Sequence, residues 1–241
     1  ALNKFMKIEV CVASLEAAKR AEQLKADRVE LCSEMGVGGV TPSIGLVEQL
    51  VEGIQIPIHV LVRPRSGDFN YSTNEFSLIL KDMERLIDLN VAGIVVGATT
   101  STGALALPQL KEMLALAGKV PLTFHRAFDV VEKPLFALEQ LIDLGFAALL
   151  TGGQCERAAD GFSLLKQMKS IAAGSIDILP GGGVHASNCQ MFVDEQFNWL
   201  HLSAKKEIPL EVQTDKNLSF LEQPQYELDE ERLKTVVALC K

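Results

Sequence analysis

The sequence has no apolar run approaching the roughly 20 residues that cross a bilayer, so no helical membrane span is expected. Positive charge is in short supply. Against 31 Asp and Glu stand 23 Lys and Arg, a net charge of -8, which disfavours non-specific binding to nucleic acid or an anionic membrane. There is no C-x-x-C and no Met-rich cluster. The five cysteines are odd in number and scattered from Cys11 to Cys240, a pattern of individual thiols in a reducing cytoplasm rather than of a disulfide framework. No apolar signal core opens the sequence, so export is not expected. With 241 residues, 48% of them hydrophobic and 22% charged, there is apolar mass for one sizeable core.

What the chain does have is a regular alternation. Period-two patterning marks strands at 8–12 and 28–32, and short apolar runs at 56–62, 93–97, 120–124, 146–151, 175–180 and 198–203 read the same way. Helical patterning follows each, at 15–25, 44–53, 75–90, 108–117, 133–144, 157–172, 186–195 and 229–239. Ser14 is placed to cap the first helix, Thr41-Pro42-Ser43 to start the second, and Thr73 or Asn74 to cap the third. Strands and helices that alternate with short joins build a parallel sheet, and eight such units in about 250 residues close into a barrel. The competing open doubly wound sheet lacks its G-x-G-x-x-G after the first strand. The sequence therefore predicts an α/β fold, a TIM-like (β/α)8 barrel, as a single domain over 1–241. A polar, proline-bearing excursion at about 205–228 precedes the closing helix.

Chemistry collects at the strand ends. Alternate residues of a barrel strand point to the axis, and the apolar set must face the helices. That parity sends Glu9 and Cys11 inward from the first strand, Glu30 and Cys32 from the second, and His59 and Arg63 from the third. Thr123 and His125 follow from the fifth, Thr151 from the sixth and His201 from the eighth. An axis packed for stability alone holds Val, Ile and Leu. Unpaired buried charge is costly, so Glu9 and Glu30 are expected to pair with Arg63, His125 or His201. The loops above add Arg65 and Asp68, Arg126 and Asp129, Gly152, and Gly182 with Gly183.

Two functional readings of this mouth stand side by side. In one, Cys11 and Cys32 end adjacent strands with matching orientation, and thiolates are the ligands Cu(I) prefers. The same pair reads also as a possible disulfide or as two ordinary small core residues. In the other, His125 is an acid or base near neutral pH, held by Glu9 or Glu30 with Asp129 beside it. Arg63, Arg65, Asp68, Arg126, Thr151, Gly152, Gly182 and Gly183 would then surround a small anionic metabolite, phosphorylated or not. Guanidiniums grip carboxylate or phosphate bidentately, and glycine loops offer backbone N–H groups. The bland counterparts are an internal salt-bridge network and plain tight turns. No inward strand residue is lysine, which disfavours Schiff-base chemistry.

The strings Arg28-Val29-Glu30-Leu31-Cys32-Ser33, Gly38-Gly39-Val40-Thr41-Pro42-Ser43, Arg63-Pro64-Arg65-Ser66-Gly67-Asp68-Phe69 and Thr123-Phe124-His125-Arg126-Ala127-Phe128-Asp129 resemble the copper homeostasis protein family CutC, and the resemblance runs over about residues 7–203. It implies a TIM-like barrel in the cytoplasm, a role in copper handling, and self-association as a homo-oligomer, a dimer or higher. Thr151-Gly152-Gly153 departs from the Thr-Ser-Gly more usual in that family. The expected partners are a copper ion or a small anionic ligand, with no nucleic acid and no membrane.

Overall fold

A computed structural model describes residues 6–209 and 224–241. Eight parallel strands form the barrel: β1 (Lys7–Val12), β2 (Arg28–Leu31), β3 (Ile58–Leu61), β4 (Gly93–Val96), β5 (Leu122–Phe124), β6 (Ala148–Thr151), β7 (Asp177–Pro180) and β8 (Trp199–Leu202). They are ordered β7-β6-β5-β4-β3-β2-β1-β8. The seam between β7 and β8 is a parallel bridge from Gly181 to His201 at the C-terminal rim. The helices between them are α1 (Leu15–Gln23), α2 (Ile44–Gly53), α3 (Thr73–Asp88), α4 (Leu107–Ala117), α5 (Pro134–Leu144), α6 (Phe162–Ala172) and α7 (Cys189–Asp194), with α8 (Glu230–Cys240) closing the ring. Each parallel pairing needs such a crossover, so the alternation in the sequence becomes the TIM-like (β/α)8 barrel directly.

The outward parity set makes the core. Ile8, Val10, Val29 and Leu31 are fully buried between strands and helices, each worth about 1.5–3 kcal/mol by removal from water. Local signals fix the helices. On α3 the buried residues Phe76, Ile79, Met83 and Leu86 recur at helical spacing. Its start is a capping box: Glu75 N–H donates to Ser72 Oγ at 3.3 Å and Ser72 N–H to Glu75 Oε2 at 2.8 Å. The cap is therefore Ser72, not Thr73 or Asn74. Ser14 and Ser43 cap α1 and α2 as the sequence predicts.

The sixth helix begins at Phe162 rather than at 157, because the preceding segment is tied elsewhere. Ala158 N–H donates to Gly182 O at 2.9 Å, and a Cβ at Gly161 would stand 2.0 Å from Gly152 O. The polar excursion starts and ends as an antiparallel hairpin, β9 (Lys205–Ile208) with β10 (Gln225–Leu228); its residues 210–223 lie outside the described residues. Among the described residues, no helix is long and apolar enough to cross a membrane.

Candidate functional site

Strand register assembles one wall of the barrel mouth. Glu9 lies level with Arg28 on β2 and with His201 on β8. One carboxylate oxygen accepts from Arg28 Nε, the other from His201 Nδ1 at 2.7 Å. The far ring nitrogen, Nε2, stands 3.7 Å from Glu30 Oε2, and the Arg28 guanidinium lies 3.9 Å from the centre of the Trp199 ring. Burial alone would raise the Glu9 carboxyl, but the His201 hydrogen bond and the Arg28 charge bring it down to about 2. His201 feels the same pairing from the other side. Its burial opposes the charged ring, yet Glu30 and Glu9 raise it above its ordinary value. Glu30 is pushed up, first by burial and then by the Glu9 charge, against the pull of His201. Of the three partners expected for these glutamates, His201 is found beside both, and Arg63 and His125 are not. Arg28 takes their place, because it shares the inward parity of Glu30 two positions on.

One layer toward the rim, Cys11 lies level with Glu30. Its Sγ is 3.5 Å from that of Cys32. Cys11 Sγ, a Glu30 oxygen and a His201 ring nitrogen all lie within 4.8 Å of one another. The hydrogen bond with Cys32, burial and the nearby Glu30 hold the Cys11 thiol well above the usual range. The candidate donors are thus the Cys11 sulfur, one imidazole and one carboxylate, with the Cys32 sulfur beside Cys11; the Cys11 thiol keeps its proton until something displaces it.

The facing wall carries Arg63 and His125, and its bonding is of another kind. Arg63 Nη1 donates to Val37 O at 3.0 Å and to Gly39 O at 2.9 Å, and Nη2 to Gly67 O at 2.7 Å. It makes no ion pair among the described residues, and its Nε has no hydrogen-bond partner. His125 sits where strand β4 leaves room: a Cβ at Gly97 would stand 2.5 Å from the ring. Its Nδ1 accepts from Ala127 N–H at 3.1 Å, which places the ring proton on Nε2, and Nε2 has no partner. Burial, and then the Arg63 charge, lower His125 to about 3. It is a neutral ring with a free N–H donor, not a base held by a glutamate. The Phe69 ring covers both groups, 4.9 Å from the Arg63 guanidinium and 5.0 Å from the imidazole.

Asp129 occupies the Thr151–Gln154 turn, one of the two glycine loops expected to grip an anion. Its carboxylate accepts from Thr151 Oγ1, from Gly152 N–H at 3.0 Å and from Gln154 N–H at 3.1 Å. Arg126 Nε binds the same carboxylate at 2.7 Å, and Nη2 donates to Cys155 O at 2.8 Å. The chain's own carboxylate therefore fills that cradle. Arg65 pairs with Glu75 and, at 3.0 Å, with Asp68, and neither Arg65 nor Asp68 lines the cavity of the mouth.

That cavity holds about 810 Å³ and is lined by Cys11, Glu30, Cys32, Arg63, Phe69, His125, Arg126, Asp129, Gly182, Gly183 and His201, among others. The structure thus brings the two cysteines, Glu30, Arg63 and His125 to one space. Glu9 lies beneath them, and Thr151 and Gly152 support the rim. Arg28 is the neighbour that sequence reasoning missed, whereas His201, expected beside the glutamates, is found there.

The comparisons with known proteins agree on the lineage. The CutC family model matches residues 6–206. A CutC family protein of Yersinia pestis (strain Pestoides F) is 43% identical over 205 residues, 84% of this chain and 80% of that one. Its counterpart in Proteus mirabilis (strain HI4320) is 42% identical over 203 residues, 84% of this chain and 81% of that one. Among solved structures, a CutC of Streptococcus agalactiae described as a copper homeostasis protein superposes with a TM-score of 0.77 at 31% identity, covering 82% of this chain and 98% of its own. Phosphoribosyl anthranilate isomerase from Thermus thermophilus, at 14% identity and a TM-score of 0.58 over 97% of this chain and 98% of its own, shares the fold alone. With the family model spanning the barrel and relatives above 40% identity over most of both chains, this chain belongs to the CutC family, the family of copper homeostasis.

Proposed function

We propose that the barrel mouth binds Cu(I) as cargo through Cys11 and Cys32. The observation that carries this is the 3.5 Å separation of the two sulfurs at the edge of the cavity. Thiolates suit a soft monovalent ion. A linear two-sulfur site would hold the sulfurs about 4.6 Å apart at zinc-like bond lengths. The shorter spacing favours a bent site completed by a third donor, and the His201 ring and Glu30 carboxylate stand beside Cys11. Glu9 supports that arrangement by fixing His201 through its Nδ1, the kind of outer contact that orients an imidazole ligand.

Cytoplasmic copper handling and self-association belong to the same proposal. The five cysteines are all free thiols, as a reducing compartment keeps them. Val130 and Phe136, each 58% exposed, are the large apolar side chains left most open among the described residues. The acid–base reading has less support, because a ring lowered to about 3 is a poor proton acceptor at neutral pH. The test is Cu(I) uptake by reduced protein against a competing chelator. The wild type is expected to retain Cu(I) and the double variant C11S/C32S to lose it. Equal retention by both would remove the proposal's basis.

A further inference from the structure

The unpaired wall of the cavity calls for an occupant that the metal reading does not provide. Arg63 is 5% exposed and has no carboxylate partner among the described residues. A buried guanidinium without a counter-charge is strongly unfavourable. Carbonyl oxygens of Val37, Gly39 and Gly67 hold it in place, but they carry no formal charge. His125, also 5% exposed, presents an Nε2–H with no acceptor. Its tautomer is set from behind by Ala127 N–H. Both side chains line the 810 Å³ cavity, and Phe69 lies against both. Tyr71 is close enough to Arg63 to feel its charge.

We infer that Arg63 and His125 form the binding site for the carboxylate of a small organic acid. One fixed positive charge and neutral N–H donors match one negative charge. A dianionic phosphate would leave net negative charge in a low-dielectric space that already holds Glu9 and Glu30. The planar guanidinium suits a planar carboxylate, and the Phe69 ring shields the contact from water. Leu61, Leu150 and Val184 also line the cavity, so the body of the acid meets apolar walls there. The ring of Phe69 also explains why the donors are buried although the cavity is open: it covers the place where the anion is held.

The test uses metal-free protein and two probes, acetate and inorganic phosphate, with chloride at matched ionic strength as control. The readout is the His125 Nε2–H resonance in long-range proton–nitrogen NMR. Acetate is expected to shift it saturably and phosphate to leave it unmoved. In Arg63→Gln the acetate affinity should fall about tenfold or more. Should that variant fail to fold, His125→Gln read through the Arg63 Nε resonance asks the same question. The C11S/C32S protein should bind acetate like the wild type, which separates this site from the copper reading. No saturable shift, a response to phosphate in place of acetate, or an unchanged affinity in Arg63→Gln would each overturn the assignment.

Discussion

The two walls of the barrel mouth hold similar side chains and use them differently. On the β1, β2 and β8 side, Glu9, Arg28, His201 and Glu30 neutralise one another inside the barrel. On the β3 and β5 side, Arg63 and His125 are equally buried, and each has a buried nitrogen without a partner. Register explains the first: Glu9 stands level with a cation on each neighbouring strand. The second has no carboxylate at the corresponding place among the described residues, and Gly93 in β4 and Gly97 just after it stand beside the His59 and His125 rings instead. On the first wall the charges pair with one another, although Arg28 Nη2 has no partner. On the second, a cation and a ring N–H face the cavity with no counter-charge among the described residues.

The largest break in this contrast is Glu9→Gln. It leaves the Arg28 guanidinium and the His201 Nδ1–H without their shared anionic acceptor, and should cost about 3–5 kcal/mol of stability in urea denaturation. A loss below 1 kcal/mol would mean that the pairing on this wall is not the support described.

Acid sharpens the contrast next. His125, lowered to about 3, and His59, lowered to about 4, both first by burial, stay neutral in the fold while their unfolded counterparts protonate near 6.5. The unfolded state then binds more protons, so their contribution to stability is lost as pH falls from 6.5 toward 4. The shifts are worth on the order of 5 kcal/mol for His125 and 3 kcal/mol for His59. His201 is raised, so its contribution is fully present below 6.5 and is lost as pH rises through its folded value. Denaturation midpoints followed from pH 7 to 4 should fall in the wild type and fall less in His125→Gln. Parallel curves would remove the neutral histidine from the account.

The smallest effect is expected from Arg63→Gln. Hydrogen bonds to three carbonyl oxygens are lost, but an unpaired charge is removed with them, so stability should change by about 1–2 kcal/mol at most. If this variant is as unstable as Glu9→Gln, the two walls are alike after all.

Much of this was legible in the chain, and the reason is parity. A period of two, read against helices that demand the apolar face, places Glu9, Cys11, Glu30, Cys32, Arg63 and His125 toward the axis without any coordinates. Partners are another matter. Glu9 and His201 are 192 residues apart, and their meeting depends on ring closure and register, which period alone does not encode. Arg28 was within reach, because the parity that turns Glu30 inward also turns Arg28 inward, but an arginine opening a strand looks like a solvent residue. The role of Asp129 was not legible. Its carboxylate sits in the Thr151–Gln154 turn, and nothing in the spacing distinguishes a loop that awaits an anion from one already filled by its own chain. Loop conformation decides that, and it also moves the start of α6.

The central claim is that the sulfur wall is a copper site of mixed donors. Its most direct test is X-ray absorption at the copper edge on reduced protein loaded with Cu(I). The account predicts a first shell of two sulfurs and one lighter nitrogen or oxygen neighbour, with the sulfurs gone in C11S/C32S. A first shell without sulfur in the wild-type protein would contradict it.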